Sequence, residues 1–420
     1  MVDNTEKKRG TIMKKLTRRT VLSSAATLLA APALAAGKYS LGATDTEIKI
    51  GQTMPYSGNA SAYGQVGRAH AAYFRMINEQ GGINGRKITL ISLDDGYSPP
   101  KTVELARQLV ERDQVLFLFA PLGTQCNTAI QKYMNQKKVP QLFVASGASK
   151  WGDPAHFPWT MGFQPDYRTE GEIYAKHIKE TVKNPKIAIL RQNDDMGNDY
   201  VGGFRELIAS FKDSIGPDAI VADATYEVTD PTVDSQILQL KNSGANVFYN
   251  VTTPKFAAQA IKKSAEIGWK PVQYIVNVAA SIGAAIKPGG FENAQGIITA
   301  QYLKDITDPA WADSADYKEW KIWMEKYNSS ANLMESANAS GYASAFTVTQ
   351  VLRQCGDDLT RENVMRQAAN LHDLEIPMLL PGIRLNTGPA DFYPIKSVRL
   401  SHIEGEHWKL FGDMISRDTV

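Results

Sequence analysis

What most constrains this chain is an alternation of short apolar strands with helical patterns, run through twice. Glu47–Met54 reads as a strand stopped by Pro55 and Ser57-Gly58. Residues 62–80 then carry Ala69, Ala72, Tyr73, Met76 and Ile77 at the spacing of one helix face. Gly81-Gly82 ends that helix, and Asn84-Gly85 turns the chain into a strand over 87–93. A proline-opened helix over 99–112, a strand over 115–119, a helix over 124–136 and a strand over 141–144 follow. The rhythm restarts with a helix over 167–181 and a strand over 186–190. Helices over 198–211, 232–242 and 254–267 then alternate with strands over 220–226, 247–249 and 272–275. Strands alternating with helices of roughly 10–15 residues predict parallel sheets with right-handed crossovers. Two such runs predict an α/β chain of two doubly wound parallel-sheet lobes.

The last third breaks the pattern, with long helical stretches over 313–328 and 336–354 and a shorter one over 361–370. Strand-like alternation returns at Ser397–Leu400 and Trp408–Phe411. A chain that finishes two lobes and then adds to both must cross between them more than once. That leaves a cleft between the lobes, faced by the carboxyl ends of their strands.

Composition agrees with a folded two-domain chain: 420 residues exceed one ordinary core, and 43% hydrophobic with 21% charged residues excludes a disordered one. Two cysteines, Cys126 and Cys355, are too few for a disulfide scaffold or a four-thiolate zinc site. Charge is concentrated at the start. Residues 1–35 hold Lys7, Lys8, Arg9, Lys14, Lys15, Arg18 and Arg19 against Asp3 and Glu6, and the remainder carries 39 positive and 42 negative residues. A nucleic-acid partner is therefore not expected. The basic stretch precedes an uncharged Ala- and Leu-rich run that ends in Ala33-Leu34-Ala35, the pattern of a cleaved secretory signal over 1–35. Thr17-Arg18-Arg19-Thr20-Val21-Leu22 fits a twin-arginine signal, with a general secretory signal as the alternative, and Met13 is an alternative start. No cysteine stands near the cleavage site, so the expected product is a periplasmic, soluble protein without a lipid anchor.

Three segments carry a family resemblance: Ile48-Lys49-Ile50-Gly51 with Ser57-Gly58 and Tyr63-Gly64; Asn78-Glu79-Gln80-Gly81-Gly82-Ile83-Asn84-Gly85; and Leu93-Asp94-Asp95 ahead of Pro99 and Lys101. Together they resemble the Leu/Ile/Val-binding family of periplasmic solute receptors that serve ABC importers. The resemblance implies a type I bilobed fold with three crossovers, closing on a small ligand, and membrane permease subunits as partners. It implies lobe boundaries at 47–164 with 302–379, and 165–301 with 380–420, in a monomer.

Carried over position by position, the family's aromatic over the ligand falls on Tyr63. Its hydroxyl donor falls on Thr124, behind Gly123, at a helix start that suits a carboxylate. The second carboxylate loop falls on Ser146, Gly147 and Ala148, where Ala148 has lost the family's hydroxyl. In lobe 2 the two pocket tyrosines become Met196 and Thr252. The acid that holds a ligand ammonium should follow Ile275, where Asn277 and Val278 stand, and no Asp or Glu occurs from Trp269 to Gly290. A buried ammonium without a carboxylate costs several kcal/mol. These departures favour a small carboxylate with a hydrophobic or aromatic body, with a branched-chain amino acid as the alternative.

Catalysis, a metal and a cofactor are not expected. The six histidines show no zinc spacing, no Gly-x-Ser-x-Gly elbow or Walker loop appears, and the first strand runs into Met54-Pro55-Tyr56 instead of a dinucleotide turn. Asp194, Asp195, Asn198 and Asp199 lack calcium-loop spacing and read as a solvated cap cluster. Cys126, at an early turn of a helix, reads more simply as a small buried residue than as a stabilised thiolate. An exported α/β enzyme acting on a small organic acid remains the alternative of another class.

Overall fold

The computed structural model describes residues 37–211 and 215–417, all within one compact unit, Gly37–Val420; the signal segment expected over 1–35 lies outside the described residues. A two-residue strand β1 (Lys38–Tyr39) opens the chain. The first winding runs β2 (Glu47–Met54), α1 (Gly64–Glu79), β3 (Lys87–Asp94), α2 (Pro99–Arg107), β4 (Leu118–Phe119), α3 (Thr124–Lys137), β5 (Gln141–Val144) and β6 (Thr160–Gly162). These strands form a parallel sheet in the order β3-β2-β4-β5-β6. On one face Ile48 and Ile50 pack with Ala69, Tyr73 and Ile77 of α1; on the other Leu118 packs with Ala106, Leu109, Ile130 and Met134. That two-sided burial is why the stretch through β4, residues 115–119, reads as a continuous apolar run, while β2 and the edge strand β3 interleave Lys49, Gln52, Thr89 and Ser92.

The second winding runs α4 (Tyr167–Thr181), β7 (Ile187–Gln192), α5 (Asp195–Ser210), β8 (Ile220–Tyr226), α6 (Asp234–Asn242), β9 (Val247–Val251), α7 (Pro254–Glu266) and β10 (Val272–Ile275). The short α8 (Lys287–Gly289) and α9 (Phe291–Ala294) lead to β11 (Ile298–Gln301). Along β7 successive side chains divide between faces. Ile187 and Ile189 join the α4/α5 core with Tyr174 and Phe204, while Ala188 and Leu190 meet Ile237, Leu240 and Phe256 under α6 and α7.

The chain then returns. Helices α10 (Ala315–Tyr327) and α11 (Ala337–Cys355) pack on α1, β12 (Asp358–Leu359) pairs with β1, and α12 (Arg361–Ala368) packs on α11. Finally β13 (Ser397–Glu404) adds antiparallel to β11 and β14 (His407–Ser416) antiparallel to β13, completing the order β14-β13-β11-β10-β9-β7-β8. The two doubly wound lobes and the three crossovers between them are as expected.

Four strands escaped the sequence reading: the two-residue β1 and β12, which pair with each other, and β6 and β11. β6 has only three residues, and β11 has four with no alternation; both are defined by the neighbours they pair with. The helix expected over 99–112 changes at its end to a π-helical turn over Gln108–Arg112, and only Leu118–Phe119 of the strand expected over 115–119 is paired.

Candidate functional site

In each sheet the first strand lies inside and its neighbours depart in opposite directions, which opens a crevice at the strands' carboxyl ends. β2 and β4 of one lobe deliver Tyr63 and Thr124 there, and β7 of the other delivers Met196. Gly123 is the cap residue of α3 at φ +100°, a backbone state that disfavours a side chain, and a Cβ there would stand 2.5 Å from the Tyr97 ring. Glycine therefore caps α3 without a side chain. The first intrahelical bond is Asn127 N–H to Gly123 O at 3.0 Å, so the preceding amides lack helical acceptors.

Counting protons fixes what Thr124 can do. Ser146 Oγ accepts from Trp151 Nε1 at 2.9 Å and from Ala148 N–H at 3.3 Å, which occupies both lone pairs. Its own proton is left for Thr124 Oγ1, 2.8 Å away. Thr124 thus accepts from Ser146 and keeps its proton for a third partner.

Tyr63 donates to Val278 O across the cleft at 3.1 Å. Lys150 Nζ and Thr128 Oγ1 reach Asp195 at 2.7 and 3.0 Å, Ser149 N–H and Oγ reach Asp199 at 2.7 and 2.8 Å, and Ser281 Oγ reaches Glu335 at 3.1 Å. The lobes are closed on each other. These contacts correct only the solvated part of the expected cap cluster: Asp194 is half-buried and does cap α5, through Met196 N–H and Gly197 N–H, while Asp195 and Asp199 hold the opposite lobe.

Between the lobes lies a cavity of about 100 Å³ lined by Tyr63, Gly123, Thr124, Met196 and Asn277 among the expected residues. Ser146, Gly147, Ala148 and Thr252 do not line it. Ser146 sits behind Thr124, Ala148 is buried, and Gly147 O accepts from Tyr167 N–H at 2.8 Å, where a Cβ would meet Pro165 O at 2.1 Å. Thr252 is buried and donates to Asn250 Oδ1 at 2.7 Å. The sequence reading missed the crossover contribution: Gln164, Gln301, Tyr302, Lys304, Asp305, Glu335 and Ser340 also line the cavity.

The acid missing after Ile275 arrives from elsewhere. Glu170 of α4 is buried, and its Oε1 accepts Asn277 N–H at 2.7 Å and Tyr174 Oη at 2.7 Å, while Oε2 accepts Tyr200 Oη at 3.2 Å. Burial outweighs these donors and pushes its carboxyl up to about 7. Glu170 lies behind the cavity wall. Asp305 and Glu335 line it and are raised by burial, but Asp305 already accepts from Thr307 N–H and Oγ1 and from Trp408 N–H. Lys304 is paired with Asp316. Cys126 and Cys355 are buried and unpaired, and burial raises both thiols, so Cys126 is the small buried residue expected. Among the described residues no helix is long and apolar enough to cross a membrane.

A family model described as "Periplasmic binding protein" matches residues 47–404. The chain is 27% identical over 231 residues to the Leu/Ile/Val-binding protein homolog 3 of Brucella melitensis, covering 53% of this chain and 59% of that relative. It is 29% identical over 250 residues to the leucine-, isoleucine-, valine-, threonine-, and alanine-binding protein of Pseudomonas aeruginosa, covering 56% and 60%. The chain thus spans about three fifths of these relatives. Among solved structures, a branched chain amino acid ABC transporter protein from Thermus thermophilus with bound valine superposes with TM-score 0.78 at 15% identity, covering 89% of this chain and 97% of that one. A fatty acid ABC transporter substrate-binding protein from Thermomonospora curvata gives 0.75 at 18%, covering 90% and 95%. The fold is that of the type I periplasmic binding proteins. The chain belongs to the periplasmic binding protein family.

Proposed function

We propose that this protein is an extracytoplasmic receptor of an ABC importer that captures a small carboxylate by hinge closure, with a hydrophobic or aromatic body preferred. The observation that carries the ligand class is the Thr124 hydroxyl, its proton unspent, at the uncapped start of α3 inside the cleft. Tyr63, Val66, Leu122, Met196, Val278 and Ile282 supply an apolar wall for the body of the ligand. The lobes take the boundaries given above, residues 1–35 direct export, and the working form is a monomer that docks on membrane permease subunits.

A branched-chain amino acid is the second reading. The names of the relatives favour it, and Glu335 would meet an ammonium in the cavity. The first reading is preferred because the carboxylate behind Asn277 is already spent on three donors. An enzymatic role has less support. Buried His70 contacts Ser344 at 2.8 Å, but Gln52 Nε2, oriented by the Phe119 and Ala120 carbonyls, donates to His70 Nδ1. The Nε2 proton then points at the serine, and burial lowers the imidazole to about 3, which unsuits it as a base. Native mass spectrometry of the exported protein, with release of any carried solute, tests the ligand class. A carboxylic acid without an amine is expected, and a stoichiometric α-amino acid would overturn the preference.

A further inference from the structure

Resting on the carboxylate reading, the same proton accounting extends to the other end of the ligand. Asn277 and Gln301 both line the cavity from lobe 2. Asn277 Nδ2 lies 2.6 Å from Ala300 O, an atom that can only accept, so the amide orientation is fixed with its nitrogen toward the backbone. The second Nδ2 proton goes to Gln301 Oε1 at 3.1 Å, which fixes the glutamine in turn. Glu170 holds the loop still by accepting Asn277 N–H. Two atoms are left over: Asn277 Oδ1, an acceptor, and Gln301 Nε2, a donor. Neither is among the buried polar atoms without partners, and neither has a protein partner among the described residues.

We infer that lobe 2 recognises an uncharged ligand group that both donates and accepts a hydrogen bond, a hydroxyl or a carboxamide, between Asn277 Oδ1 and Gln301 Nε2. The ligand class is then a hydroxy or carbamoyl acid. An ammonium would satisfy Oδ1 but set its protons against Nε2–H, and a bare hydrocarbon would leave both atoms dry on closure.

The test is calorimetry of the exported protein with two matched series. One is benzoate, 4-hydroxybenzoate, 4-(aminomethyl)benzoate and 4-methylphenol. The other is 4-methylpentanoate, its 2-hydroxy derivative and leucine. In at least one series the hydroxy acid should bind tenfold or more tighter than both the unsubstituted and the ammonium-bearing compound. Gln301→Glu, checked for folding by circular dichroism, should reverse the order of the hydroxy and ammonium compounds in that series. Hydroxy acids no tighter than the unsubstituted acids in both series, or an unchanged order in the variant, would overturn the inference. The carboxylate reading is judged separately, on 4-methylphenol against 4-hydroxybenzoate, where the hydroxyl is kept and the carboxylate gives way to a methyl group.

Discussion

Replacing Glu170 with Gln should change how stability depends on pH, by an amount the structure sets. Burial raises this carboxyl from the ordinary glutamate value of about 4.5 to about 7 even though Tyr174, Tyr200 and Asn277 all donate to it. The folded protein therefore holds the Glu170 proton more tightly than the unfolded chain between these two values. The stability this confers is fully present below about pH 4.5 and is lost as pH rises through about 7. At about 1.36 kcal/mol per unit, the loss is about 3 kcal/mol. The Gln variant cannot titrate there, so wild-type stability minus variant stability should fall by about 3 kcal/mol from pH 4.5 to 8. Urea unfolding of both proteins across that range measures it. His70, whose burial lowers it to about 3, acts in the opposite direction in both proteins and cancels in the difference. A difference flat within about 0.5 kcal/mol, half the net worth of an ordinary hydrogen bond, would refute the assignment of a neutral, burial-dominated carboxyl.

Thr124→Ala should weaken carboxylate binding by about 1.5–3 kcal/mol, the range for a hydrogen bond to a charged group, in a protein that still folds; unchanged affinity by calorimetry would move the anion site elsewhere. Asp195→Asn should matter less, because the Lys150–Asp195 pair across the cleft is 35% and 44% exposed, and a shift above about 1 kcal/mol in ligand affinity would contradict that ranking. Saturating ligand should reduce the small-angle scattering radius, since each lobe supplies only part of the cavity, and an unchanged radius with a tight ligand would count against hinge closure.

The sequence exposed the windings because strand and helix periods differ, so Ile48 and Ile50 stand out by alternation and Ile187–Leu190, buried on two faces, as an apolar run. Tyr63, Gly123, Thr124 and Met196 were reached only through the family resemblance, and the structure sets each after a central strand, lining the cavity. Glu170 was not reached at all. It lies 107 positions from Asn277, and only its place beside Tyr167 and Tyr174 on one face of α4 hinted at burial. The crossover lining, from Gln164 to Glu335, was equally hidden, because apart from Gln301 at the end of the short β11 those residues lie outside helices and strands. Thr252 shows the converse: it occupies a pocket position of the resembled family yet spends its hydroxyl on Asn250.

The central claim is a cleft that selects a carboxylate with an apolar body, and calorimetry with leucine, isoleucine, benzoate and a hydroxycinnamate tests it most directly. The aromatic acids should bind at least tenfold more tightly than the amino acids, a gap of about 1.4 kcal/mol. Tighter binding of leucine or isoleucine would contradict the account and place an ammonium partner, with Glu335 as the first residue to examine, inside the cavity.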